Sequence, residues 1–93
     1  MNLQNMIDLV SGQTICVTMT KKSDSLNWSV TTIRDSFFDF DSAPILSILS
    51  RSDRSCVNLN ILNISNIQQK DENGEKTIVV NTDDLTFEIE KVV

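Results

Sequence analysis

From Thr14 onward, apolar side chains fall at every second position in one short stretch after another, and a chain patterned that way folds into sheets. Ile15, Val17 and Met19 alternate with Cys16 and Thr18, and Leu26, Trp28 and Val30 alternate with Asn27, Ser29 and Thr31. Val57, Leu59 and Ile61 alternate with Asn58, Asn60 and Leu62, and Leu85, Phe87 and Ile89 alternate with Thr86, Glu88 and Glu90. A period of two sends successive side chains to opposite faces of a strand, so each stretch offers one apolar face to a core. The polar run from Lys21 to Ser25 joins the first two stretches as an antiparallel hairpin. Asn73-Gly74 is the strongest turn signal, because both residues tolerate the positive φ that a tight hairpin turn demands. Thr77 to Asn81 is then its return strand, and Thr82-Asp83-Asp84 turns the chain once more. The predicted core is Ile15, Val17, Trp28, Val57, Leu59, Phe87 and Ile89.

Two segments break the alternation. Leu3, Met6, Ile7 and Val10 are spaced as one helical face, and Ser11-Gly12 ends that helix with a residue suited to a left-handed cap. Asp41-Ser42-Ala43-Pro44 reads as a capping residue followed by a first-turn proline, and Ile45, Leu46, Ile48 and Leu49 then predict a second short helix near 43–51. Between Ile33 and Asp41 the rings of Phe37, Phe38 and Phe40 are interleaved with aspartates, which calls for a bulge or a new short strand. The apolar phase also slips between Ile61 and Ile67, which places a bend near Asn63. The expected fold is α+β, mainly β. It has about five or six antiparallel strands in a bent sheet or small open barrel, with the two short helices covering an open face or plugging an end.

The chain of 93 residues makes one domain, 1–93, and its 40% apolar and 23% charged residues are those of a folded globule. Its longest apolar stretches, such as Ile78-Val79-Val80, are far shorter than a membrane span. Met1-Asn2-Leu3-Gln4 has neither a basic start nor a long apolar segment behind it, so no secretory signal is expected and the location expected is cytoplasmic. Cys16 and Cys56 lie in strand-like runs, as two ordinary buried thiols or, in an oxidising compartment, one disulfide.

The chain contains no histidine, and its 13 Asp and Glu outnumber 8 Lys and Arg, for a net charge of −5. Without histidine no Ser/His/Asp or Cys/His nucleophilic set can be assembled, so the chain is not expected to be an enzyme. Neither paired cysteines nor a calcium-loop glycine is present, so neither a metal nor another cofactor is expected. Direct contact with nucleic acid is disfavoured, since that affinity is built from Lys and Arg on phosphates. A basic protein surface is the partner expected, no membrane is involved, and a homo-oligomer is compatible with the pattern.

Asp83, Asp84, Glu88 and Glu90 form the densest cluster of one sign and are the candidate binding residues, an acidic face on the final turn and strand. An acidic stripe on an edge strand would equally deter edge-to-edge aggregation. Asp35, Asp39 and Asp41 are secondary candidates. On a regular strand they share a face, where they either hold a divalent cation or serve as acid and base, or are simply the solvated side of a strand with buried rings. Ser47, Ser50, Ser52 and Ser55 with Arg51 and Arg54 could hold a phosphate, or form an ordinary solvated loop.

The segment Ser29-Val30-Thr31-Thr32-Ile33-Arg34-Asp35-Ser36-Phe37-Phe38-Asp39 is similar in outline to the first motif of the Sm-like family, small β-barrels that form rings on RNA. Serine stands where that motif opens with glycine, and Phe38-Asp39 replaces Met-Asn. Val80-Asn81-Thr82-Asp83-Asp84-Leu85 resembles the second motif without its RNA-contacting Arg-Gly pair, and Ser42 to Ser55 would be a large insertion. The resemblance implies a small barrel that assembles with copies of itself. The function expected from charge and from the missing catalytic groups is different. It is a non-enzymatic protein-binding module, an acidic inhibitor of the immunity or anti-defence type that covers a basic nucleic-acid-binding surface of its partner. The alternative is a small structural or oligomeric β-barrel module.

Overall fold

Strands occupy most of the chain because the alternating stretches pair with one another in two antiparallel sheets. A computed structural model describes residues 1–72 and 74–92. After helix α1 (Leu3–Val10) come β1 (Ile15–Lys21), β2 (Asp24–Ile33), β3 (Ser36–Asp39), β4 (Ile45–Ser50) and β5 (Cys56–Asn60). A single 3-10 turn (Ile61–Asn63) leads into β6 (Ile64–Glu72), β7 (Glu75–Thr82) and β8 (Leu85–Lys91). One sheet has five strands in the order β2-β1-β8-β7-β6, and the other has three in the order β3-β4-β5. Neither closes on itself, and the fold is α+β and mainly β, as expected.

Helix α1 begins where the sequence places it. The Asn2 side chain accepts a hydrogen bond from the Asn5 N–H at 2.8 Å, which satisfies one of the free donors at the helix start. At the other end the Ser11 N–H donates to the Ile7 carbonyl, and Gly12 adopts a φ of 78° that a side chain would resist. The helix buries Met6 and Val10 in the common core.

That core lies between the sheets. The five-stranded sheet contributes Ile15, Val17, Ile33, Ile67, Ile78, Val80, Phe87 and Ile89, and the three-stranded sheet contributes Leu46, Ile48, Val57 and Leu59. Six of the seven predicted core residues are therefore inside. Trp28 is the exception, 60% exposed. The β1–β2 register explains it, because Ile33 pairs with Ile15, Thr31 with Val17 and Ser29 with Met19. Those residues face inward, so Trp28 and Val30, of the opposite parity, face out.

The predicted second helix near 43–51 is strand β4, flanked on both sides by β3 and β5. Its burial alternates accordingly, with Leu46, Ile48 and Ser50 buried and Ile45, Ser47 and Leu49 half-buried. A six-residue segment gains more from two neighbouring strands than from a helix too short to hold itself. With that strand, the short β3 and the split of the expected 56–67 strand into β5 and β6, the described residues form eight strands rather than five or six. The expected bend near Asn63 is the 3-10 turn, and the restart after Ile33 is β3. Asn73 of the predicted tight turn lies outside the described residues, but β6 and β7 pair up to Glu72 and Glu75 on either side of it.

The crossing from one sheet to the other is tied by hydroxyl groups. The buried Ser36 hydroxyl donates to the Val10 carbonyl at 2.7 Å. Ser50 accepts from the Arg34 N–H and donates to the Arg34 carbonyl. Serines that read as solvated in the sequence thus satisfy backbone groups that the seam would otherwise bury unpaired. Among the described residues no helix is long and apolar enough to cross a membrane.

Candidate interaction face

Only one face of the five-stranded sheet meets the core, so the other is presented outward across five strands. The register fixes its rows. Thr32 of β2, Cys16 of β1, Glu90 of β8, Thr77 of β7 and Lys70 of β6 lie side by side. In the next row stand Val30, Thr18, Glu88, Val79 and Gln68, and in the third Trp28, Thr20, Thr86 and Asn81. An apolar strip on β2 is therefore separated from a pair of carboxylates on β8 by the small side chains of β1. With strands about 4.8 Å apart, the two stripes run roughly 10 Å from each other.

The apolar strip is open to solvent. Leu26 is 87% exposed and Val30 49%, beside the largely exposed Trp28. Strand β2 is an edge, with no hydrogen-bonded neighbour beyond it. Its register breaks near the hairpin turn, where Trp28 pairs with Thr20 and Asp24 already pairs with Lys21, so Ser25, Leu26 and Asn27 bulge outward. From Ser25 to Ile33 the strand carries no charge. The opposite edge, β6, has its own register break after Ile64 and carries Lys70 and Asp71.

Glu88 and Glu90 do share a face, as the sequence predicted. They stand on the central strand of the sheet, however, not at an edge, so they cannot serve to keep edges apart. No ion pair involves either of them among the described residues. Lys70 stands two strands from Glu90, and with Thr77, Val79 and the two glutamates it lines a shallow polar cleft of about 140 Å³. Asp83 and Asp84 are elsewhere. They form the β7–β8 turn, where the Lys22 ammonium and backbone N–H bond to the Thr82 and Asp84 carbonyls. Four residues of strand put Asp84 about 13 Å from Glu88, so the predicted acidic cluster is two separate sites.

The secondary candidates do not converge. Asp35 sits in the β2–β3 turn with a φ of 48°, 3.9 Å from the Arg51 guanidinium. Asp39 ends β3 and accepts from the Asp41 N–H at 2.8 Å. The turn breaks the regular strand on which the three would have shared a face. Among the described residues no group of histidine, cysteine and carboxylate side chains is arranged to hold a metal ion.

The serine and arginine loop is likewise occupied by its own contacts. Arg34 pairs with Asp53 at 3.3 Å, Arg51 lies over the Phe37 ring at 4.7 Å, and the Ser47 hydroxyl donates to Asn58. Asp53 is held below the ordinary aspartate range, chiefly by the Ser55 backbone N–H and then by the Ser55 hydroxyl, with smaller help from Ser50 and Arg34. The cysteines are unpaired, and neither is buried as a core thiol. Cys16 is half-buried on the outer face and Cys56 is exposed at the start of β5.

Sequence reasoning missed the exposed strip on β2. The available signal was Ile33, which shares its parity with Ser29 and Thr31 and not with Trp28. Comparison of the chain with protein-family models, with curated proteins and with solved structures gives no match. The likeness to the Sm-like motifs rests on segments that run, in this fold, from β2 across the seam into β3 and around the β7–β8 turn.

Proposed function

We propose that this chain is a non-enzymatic protein-binding module that docks the outer face of its five-stranded sheet on a basic surface of a partner protein. The observation that carries the reading is the pairing of exposed Trp28 and Val30 with Glu88 and Glu90 on that one face. Exposed tryptophan beside a second apolar residue is the kind of anchor that dominates protein interfaces, and unpaired carboxylates nearby select a cationic partner and hasten its approach. A net charge of −5 extends that field over the molecule. The finer form of the proposal is an acidic inhibitor, of the immunity or anti-defence type, whose partner uses the covered surface to bind nucleic acid.

Tagged wild-type protein, Trp28→Ala and the double reversal of Glu88 and Glu90 to Lys should be compared in pull-downs from the native host at two salt concentrations. The partner should be lost with Trp28→Ala at both. With the double reversal its association should slow most at low salt, while stability changes by about 0 to 1 kcal/mol per exposed charge. Equal capture by all three proteins removes this face from the interaction.

A second reading is favoured by the uncharged edge of β2, which could pair with its counterpart in another copy and make the protein a structural or oligomeric β module. Sedimentation of the purified protein separates the two, since a defined oligomer dispersed by Trp28→Ala supports the second.

A further inference from the structure

We infer that the cleft between the C-terminal end of α1 and the outer ends of β7 and β8 binds a small amphipathic carboxylate, a compact apolar body carrying one acid group. It lies on the inner side of the five-stranded sheet, away from Glu88 and Glu90, and no residue of the three-stranded sheet lines it. Its volume is about 220 Å³. Leu9 and Val10 of the helix form one wall, and Ile78 and Ile89, which pair directly across β7 and β8, form the floor.

The chemistry of the rim selects the ligand. Lys76 of β7 and Lys91 of β8 lie one residue beyond the Thr77–Glu90 pair, and both line the cleft. Lys76 shares the parity of Ile78 and Lys91 that of Ile89, so both stems leave the inner side of the sheet where its apolar face ends. Asp71 opposes Lys76 from β6 and offsets its charge, which leaves one positive charge in excess among the described residues of the rim, in a chain with only eight basic residues. Lysine can only donate hydrogen bonds, so the group that satisfies the pair is an anion with acceptor oxygens. An apolar cavity of about 150 Å³ already accommodates benzene. A ring with a short acid arm therefore matches this space, its body on Ile78 and Ile89 and its carboxylate between the lysines.

The rival account is that the lysine stems merely cover the end of the core and hold their charges in water. Titration with 3-phenylpropionate, followed by amide NMR shifts, separates the two. Hexanoate as a second probe tests whether shape or acid decides, and neutral 3-phenylpropanol removes the charge alone. Saturable shifts at Leu9, Val10, Ile78 and Ile89 are expected with both acids. Binding should weaken about tenfold for the alcohol and for Lys76→Met or Lys91→Met, each of which loses one charge-assisted bond while keeping an apolar stem. Absence of saturable shifts with either acid, or equal affinity for acid and alcohol, overturns the inference. The alcohol comparison holds even if a lysine variant fails to fold.

Discussion

Replacing Phe87 with Ala should remove a large part of the protein's stability, whereas replacing the larger ring of Trp28 should leave it almost unchanged. Phe87 is 2% exposed on the central strand β8, paired with Met19 on one side and Val80 on the other. Truncation there leaves a void between two packed sheets that neither can close, at a cost of about 3 to 5 kcal/mol. A domain of this length has about 5 to 14 kcal/mol in all, at roughly 0.05 to 0.15 kcal/mol per residue. The thermal midpoint should accordingly fall by roughly 12 to 40 °C, at about 4 to 8 °C per kcal/mol. Trp28 is more than half in water already, so its loss should stay within about 0.5 kcal/mol. Urea unfolding followed by far-ultraviolet circular dichroism measures both variants, and the slope against urea should not change. Tryptophan emission of the native protein should lie close to that of free indole in water, which makes it a poor reporter of unfolding. A Trp28→Ala cost matching that of Phe87→Ala, or a blue-shifted native emission, would refute the assignment of β2's outer face.

Two further outcomes follow from particular side chains. Asp53 has its pKa lowered by the Ser55 N–H, so the folded state favours its charged form. Its contribution is complete above the ordinary aspartate range and is lost as the pH falls through the depressed value. A carboxyl-carbon titration should therefore place Asp53 below free aspartate, and Asp53→Asn should remove that part of the acid dependence. Iodoacetamide should label exposed Cys56 well before half-buried Cys16, and both should label without reductant; equal rates, or a product one label short, would contradict the two separate thiols.

Much of the sheet was legible because strand patterning is local. Ile15, Val17, Phe87 and Ile89 announce their faces through their immediate neighbours, and the 3-10 turn at 61–63 shows itself as a slip in phase. What was not legible depends on partners far along the chain. The segment from Ile45 to Ser50 has apolar spacing compatible with either helix or strand, and only the flanking β3 and β5 decide. Trp28 alternates with polar residues as a core strand would, but the sense of the alternation is set by the pairing of Ile33 with Ile15 across the hairpin. Alternation puts Glu88 and Glu90 on one strand face, whereas Asp83 and Asp84 are near them only in sequence, a separation that a strand stretches to about 13 Å. Lys76 and Lys91 give no such signal, since fifteen positions separate two residues that border one cleft.

The last strand of the domain to leave the ribosome is β8, and it is inserted between β1 and β7 rather than added at a margin. Until it arrives, the β1–β2 hairpin and the β6–β7 hairpin have no common partner, and each exposes an unpaired edge with half of a future core behind it. At about 5 to 20 residues per second of synthesis, the interval between the end of β7 and the end of β8 is about 0.5 to 2 seconds. The domain is thus most prone to aggregate between the emergence of β7 and that of β8, and loss of β8 divides the sheet instead of shortening it.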